Sequence, residues 1–158
     1  MKGKQPRWFL EAIAGRIEEG RRVVLPKPHR DLLGKSFYIT ALPDWNFVGL
    51  FPEEAWAEAI RPLLGLSLAD ADLIRVKALI GAHSALVRAT SAGRFTIPQN
   101  LRSLFRKVEV MFVGALDAVF IFNPSDWAKL EQEGFRNKRR KKRASGIAST
   151  LIRGTQRT

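Results

Sequence analysis

Arg22-Val23-Val24-Leu25-Pro26-Lys27-Pro28-His29-Arg30-Asp31-Leu32-Leu33 lies over Arg94-Phe95-Thr96-Ile97-Pro98-Gln99-Asn100-Leu101-Arg102-Ser103-Leu104-Phe105 when the chain is slid against itself by 72 residues. Arginine, aliphatic, proline, arginine and a closing apolar pair fall in register. Farther along, Phe51-Pro52-Glu53-Glu54-Ala55-Trp56 lies over Phe122-Asn123-Pro124-Ser125-Asp126-Trp127 at an offset of 71. Two matches in the same order at nearly one offset are the mark of a duplicated structural unit.

Both halves read alike locally. A short strand (Val23 to Pro26, Phe95 to Pro98) ends at a proline, and one or two helical turns carry the second arginine as far as Leu33 or Phe105. Two strands around a turn follow: Phe37 to Leu42 and Phe47 to Phe51 in the first half, with Pro43-Asp44-Trp45-Asn46 between them. In the second half Val108, Val110 and Phe112 alternate, Gly114 to Asp117 turn the chain, and Ala118 to Phe122 return. Each half closes with a helix. Trp56, Ile60 and Leu63 recur at spacings of four and three in the first, with Pro62 bringing it to an end, while Asn123 and Pro124 open the second and Gly134 is placed to terminate it. Between the halves, Ala69, Leu73, Val76 and Ile80 recur at helical spacing. A half of this size cannot bury a core alone, so the halves are expected to pair into one β-barrel with an approximate internal twofold. The fold class is mainly β with peripheral helices. Its expected bounds are a basic arm over 1–14, a double-repeat barrel over 15–135 and a basic, disordered tail over 136–158. Within the barrel, repeat one covers about 15–61, a connector helix about 68–81 and repeat two about 88–135.

Charge is uneven along the 158 residues. Of 27 Lys and Arg, nine lie in residues 136–158 with no acid among them and three in residues 1–7. The fifteen that remain balance the 15 Asp and Glu, so the body is neutral and the ends are cationic. That pattern points to a polyanionic partner. No cysteine is present, which excludes disulfides, thiolate zinc sites and thiol nucleophiles. Apolar runs fall far short of the roughly 20 residues that cross a bilayer, and no signal-type segment follows Met1, so a soluble, cytoplasmic chain without a membrane partner is expected. Catalytic patterns fail. Gly34-Lys35-Ser36 has His29 where a phosphate loop needs its earlier glycine, Ser84 beside His83 lacks a nucleophile-elbow sequence, and neither histidine has a ligand at metal-binding spacing. No enzyme, metal, cofactor or small-molecule substrate is expected.

These residues resemble the MraZ transcriptional regulators of the AbrB-like swapped-hairpin group. The half-motif of that family runs Asp-x-x-Gly-Arg, aliphatic, x, aliphatic, Pro, three residues, Arg, and is followed by an apolar strand and a tryptophan-bearing helix. The second half here has Thr90-Ser91-Ala92-Gly93-Arg94-Phe95-Thr96-Ile97-Pro98 with Arg102, and the first has Glu18-Glu19-Gly20-Arg21-Arg22-Val23-Val24-Leu25-Pro26 with Arg30. The similarity covers roughly residues 15 to 130. It implies a two-repeat swapped-hairpin barrel and a double-stranded-DNA-binding regulator that assembles into a ring-like homo-oligomer on repeated promoter boxes, associated with the nucleoid. Arg21 stands where the family has glycine, and Thr90 where it has an acid. If the acid fixes the arginine that follows it, Arg94 is expected to be the less restrained of the pair.

On that resemblance Arg22 and Arg94 are the DNA-contacting residues, with Arg21, Arg16 and Arg88 adding positive potential beside them. An arginine fork can bridge guanine O6 and N7 or grip a phosphate. The plainer reading of both is a structural ion pair or a solvated loop residue. Glu18, Thr90 and Gly93 are expected to support the DNA-binding loops, and Arg30 and Arg102 to brace the barrel rather than read DNA. Trp56 and Trp127, with Phe112, Phe120 and Phe122, are expected in the core or a subunit interface. The run Lys138, Arg139, Arg140, Lys141, Lys142, Arg143 is read as a solubilising extension or a nonspecific phosphate-binding arm. The competing function is an oligomeric interaction or assembly protein that binds nucleic acid only nonspecifically.

Overall fold

The computed structural model describes residues 7–41, 44–65, 69–105 and 107–135. Eight antiparallel strands make one sheet: β1 (Ala12–Glu18), β2 (Arg22–Val24), β3 (Ser36–Thr40), β4 (Phe47–Phe51), β5 (Ser84–Arg88), β6 (Arg94–Thr96), β7 (Glu109–Gly114) and β8 (Val119–Phe122). Their order is β5-β3-β4-β8-β7-β1-β2-β6. The two outermost strands, β5 and β6, are consecutive in the chain and joined by the turn over 89–93, so the sheet curls into a nearly closed barrel. The Ala89 N–H donates to the Lys35 carbonyl at 2.7 Å and fastens that turn at the seam.

Pairing crosses between the halves. The first strand of each half lies on the other half: β1 pairs along its length with β7 and at its end with β2, and β5 pairs with β3. The β2–β6 ladder sets Arg22 opposite Thr96, Val23 opposite Phe95 and Val24 opposite Arg94, which is its own image when the halves are exchanged. Two backbone bonds repeat that exchange 72 residues apart, from Leu25 N–H to Gly93 O and from Ile97 N–H to Arg21 O, both 2.9 Å.

Alternate residues of these strands fill the interior. Val23, Leu25, Phe37, Ile39, Leu50, Ile97, Phe112 and Val119 are each at most 1% exposed. Gly15 lies inward on β1, where a Cβ would strike the Phe112 ring, so the missing side chain makes room for that ring. β1 is absent from the sequence expectations although Ile13, Gly15 and Ile17 alternate inward with Ala14, Arg16 and Glu18 outward. The stretch expected as a basic arm over 1–14 contributes the start of this strand and Phe9, buried at 4% and bonded in both directions to Leu116. His29, at the place of Leu101 in the other half, is fully buried, and its Nε2 donates to the Leu10 carbonyl at 2.9 Å. Val108, expected with Val110 and Phe112, lies just before β7 and is 46% exposed.

The helices fall where the punctuation puts them. α1 (Lys27–Leu33) begins after Pro26 and stops at Gly34, whose φ of 73° admits glycine most readily. Its second-half counterpart is a 3-10 helix over Gln99–Leu104. α2 (Glu53–Ile60) sets Trp56 against the face of the sheet opposite the core, stacked on Tyr38 at 5.5 Å and tilted on Phe51 at 5.7 Å. Phe47 and Phe120 continue that aromatic layer at 4.4 Å. α3 (Ala71–Ala82) is capped by Asp70, which accepts from Leu73 N–H at 3.1 Å. Leu73 and Ile80 are half-buried as their spacing requires, whereas Val76 remains 39% exposed. All strands belong to a compact unit ending at Pro124. α4 (Pro124–Phe135) belongs to a second unit beginning at Ser125, and it runs through Gly134 rather than ending there.

Candidate nucleic-acid interface

β2 and β6 are three residues each, and the middle residue of each, Val23 and Phe95, points into the core. Period-two alternation then turns Arg22, Arg94 and Thr96 outward on one face. Arg22 and Arg94 are diagonal neighbours across this ladder, a placement that spaces residues by about 7–8 Å. Both arginines therefore leave the ribbon on the same exposed face. Arg16 on β1 and Arg88 on β5, again 72 residues apart, are both exposed. Arg16 sits opposite Glu109 and Arg88 opposite Ser36. Arg21 lies in the β1–β2 turn beside an open groove lined by Ile17, Glu18, Glu19, Gly20 and Val108.

The acid is used across the halves. Glu18 Oε2 lies 3.2 Å from Arg94 Nε, so the carboxylate of the first half holds the arginine of the second. This corrects the expectation that Arg94 is the less restrained arginine. Glu18 stands opposite Arg22 on the β1–β2 ladder, and the β2–β6 ladder sets Arg94 diagonal to Arg22, which brings Arg94 within reach of the same acid. Thr90 instead accepts the Arg94 backbone N–H through Oγ1 at 3.1 Å, shaping the turn. Thr90, at the place of Glu18 in the other half, carries no charge, and the acid that faces Arg22 is Glu18 itself, directly opposite it on the β1–β2 ladder. Among the described residues Arg22 forms no ion pair. Both members of the Glu18–Arg94 pair are nearly half exposed, so it adds about 0–1 kcal/mol to stability and its effect is to orient Arg94.

The two turns that carry the arginines are built differently. Gly93 has φ of 80°, and a Cβ there would press on the Arg30 side chain, whose Nη1 donates to the Ala92 carbonyl at 2.8 Å. Arg30 thus clamps the turn that leads into Arg94. Arg102 does not copy it, since its Nε donates to Ile97 O at 3.2 Å, close to its own strand. Arg21, at the position of Gly93, takes φ of 61° and bears the cost of a left-handed residue with a Cβ. That cost is about 1–2 kcal/mol, and glycine's extra chain entropy offsets about 0.5–1 of it. Arg21→Gly is therefore expected to stabilise the fold by about 0.5–1 kcal/mol, read as a thermal midpoint higher by about 1–4 °C.

Comparison with known proteins bears on the whole arrangement. A family model described as "MraZ protein, putative antitoxin-like" matches residues 82–148. A transcriptional regulator MraZ of Finegoldia magna is 27% identical over 130 residues, covering 82% of this chain and 90% of the relative. One of Lactiplantibacillus plantarum is 32% identical over 127 residues, covering 79% and 89%. The chain belongs to the MraZ family. A further MraZ, from Geotalea daltonii, is 30% identical over 138 residues, covering 77% and 86%.

Within this MraZ-family chain the structure brings together Arg22, Arg94, Glu18 and Thr90 on the β2–β6 ribbon and the strands or turns that flank it, with Gly93 and Arg30 behind the second turn. Thr96, outward and directly opposite Arg22, joins the same surface and escaped the sequence reading, because only the strand register reveals it. Lys138, Arg139, Arg140, Lys141, Lys142 and Arg143 lie outside the described residues. Among the described residues no cluster of His, Asp or Glu is placed to hold a metal ion, and no helix is long and apolar enough to cross a membrane.

Proposed function

We propose that the chain is a sequence-reading regulator of transcription that binds double-stranded DNA through the outer face of the β2–β6 ribbon. It acts as a homo-oligomer on repeated promoter boxes, with residues 136–158 serving as a nonspecific phosphate-binding arm. The observation that carries this reading is the pair of outward arginines set on one twofold ribbon in a chain related to proteins named as transcriptional regulators. A short ribbon spans few base pairs, so one subunit has little to discriminate with. Several subunits engaging spaced copies of one box raise the effective concentration of each further contact, and affinity then comes from the array. The neutral body and cationic tail suit that division, in which the ribbon reads and the tail grips. No catalytic step belongs to this reading.

The test is a footprint on the DNA upstream of the protein's own gene. Protection is expected at two or more copies of a short box at regular spacing, and light scattering on the same sample is expected to report a species larger than a monomer. Uniform protection along the DNA would favour the nonspecific assembly protein instead. A monomer at micromolar concentration would remove the array.

A further inference from the structure

We infer that an acid-free shoulder beside the ribbon, formed by Lys35, Ser36 and Arg88 with Thr90 and Ser91 of the turn that follows, seats the phosphate backbone of one DNA strand, and that each subunit therefore meets the duplex in a single orientation. The inference rests on the DNA-binding reading above and deepens it, because the twofold ribbon by itself would dock equally well either way round.

The observation is an exchange of charge between places that the twofold relates. Arg88 of β5 stands opposite Ser36, whereas its mate Arg16 of β1 stands opposite Glu109. One residue farther along, the Ala89 N–H donates to the Lys35 carbonyl and the Ile17 N–H to the Val108 carbonyl, both at 2.7 Å, so Lys35 occupies the place of Val108. In the turns, Thr90 and Ser91 lie 72 residues after Glu18 and Glu19. Each of these three acids of the first shoulder is thus a hydroxyl residue on the second, and an apolar side chain of the first is a lysine on the second. All five residues of the second shoulder are exposed, and it carries two cations and no acid. The first carries one cation and three acids, and among the described residues the neighbouring Arg21 and Lys107 bring it only to neutrality. Phosphate oxygens accept hydrogen bonds from lysine, arginine and hydroxyl donors alike, and like charge turns them away from carboxylates. Thr90 Oγ1 accepts the Arg94 N–H at 3.1 Å, which leaves its own O–H to give. The turn then runs through Gly93 directly into Arg94. A phosphate seated on this shoulder fixes how the ribbon enters the groove, since backbone contacts set register and orientation without carrying sequence information.

The experiment measures binding of the full chain to two duplexes over a range of salt: one that it selects from a random-sequence pool, and a scrambled duplex of the same composition. Lys35→Ala and Arg88→Ala are each expected to weaken the selected duplex and to reduce its log–log salt slope by about 0.9, the mark of one lost phosphate contact. Arg16→Ala, the twofold mate of Arg88→Ala, is expected to leave the slope unchanged. Ser36→Glu copies the acid of the first shoulder onto the second and is expected to lower affinity, whereas Glu109→Ser makes the opposite exchange at the related place and is expected to leave affinity unchanged or raised. Orientation is read separately. The chain has no cysteine, so a DNA-cleaving chelate can be tethered at Ser91→Cys alone, and it is expected to cut the selected duplex on one flank of each protected box. Equal slope losses in Arg16→Ala and Arg88→Ala, equal cutting on both flanks, or unchanged slopes in Lys35→Ala and Arg88→Ala while Arg22→Ala and Arg94→Ala still weaken binding, overturn the shoulder and leave the DNA-binding reading intact. Failure of the pool to yield any preferred duplex, with Arg22→Ala and Arg94→Ala indifferent on both duplexes, defeats that reading and this inference with it.

Discussion

Phe112→Ala is expected to remove about 3–5 kcal/mol of folding stability. The ring is fully buried and lies over Gly15 of β1, where a Cβ would strike it, so its truncation leaves a cavity in the core. Native domains hold only about 5–15 kcal/mol in total, which makes this one truncation enough to populate unfolded chain. The effect reaches the candidate interface through backbone pairing: β7 carries β1 from Ala12 to Arg16, and β1 presents Glu18 to Arg94. Chemical denaturation should show a much lower midpoint with an unchanged slope. The matching change at half-buried Phe120, on the opposite face of the sheet, should cost distinctly less. A loss below about 1 kcal/mol at Phe112 would be the signature of a solvated ring, and would refute its place at the centre of the barrel.

Deleting residues 136–158 is expected to have the largest effect on DNA affinity. The segment holds nine of the 27 basic residues and none of the 15 acidic ones. If the six-residue run Lys138 to Arg143 meets one phosphate per cation, the log–log slope of affinity against salt should fall by about 5 on truncation. The intact chain would then lose roughly a thousandfold or more in affinity between 50 and 200 mM salt, and the truncated one far less. The ratio of affinities for selected and scrambled DNA should survive, because phosphate contacts carry no sequence information. Loss of that ratio would move the reading surface from the ribbon to the tail.

Much of the barrel is legible in the sequence because its chemistry is local. Prolines end β2 and β6 at corresponding places, Asp70 caps α3, and the alternation of Phe37 and Ile39 or Val110 and Phe112 declares which side is buried. The exchange of strands is harder to read, since pairing β1 with β7 and β5 with β3 depends on contacts far apart in the chain. The β2–β6 ladder is equally remote in sequence, and it alone lets Glu18, which faces Arg22 on the β1–β2 hairpin, pair with Arg94 as well. β1 itself was obscured by small residues, because Ala12, Ala14 and Gly15 give a weak hydrophobic alternation even though each has a definite side of the sheet. Thr96 lacks any sequence signal of its own. The ladder alone makes it the neighbour of Arg22.

The most direct test of the account uses the absence of cysteine, which lets a single photo-crosslinker be placed at will. Thr96→Cys puts the probe opposite Arg22 on the outer face of the ribbon, and Asp117→Cys puts it in the β7–β8 hairpin, at the end of β1 remote from the reading turn. Irradiation with promoter DNA is expected to crosslink the probe at 96 within the protected boxes and to leave the probe at 117 unattached. Crosslinking from 117 with none from 96 would contradict the assignment of the β2–β6 ribbon as the surface that meets DNA.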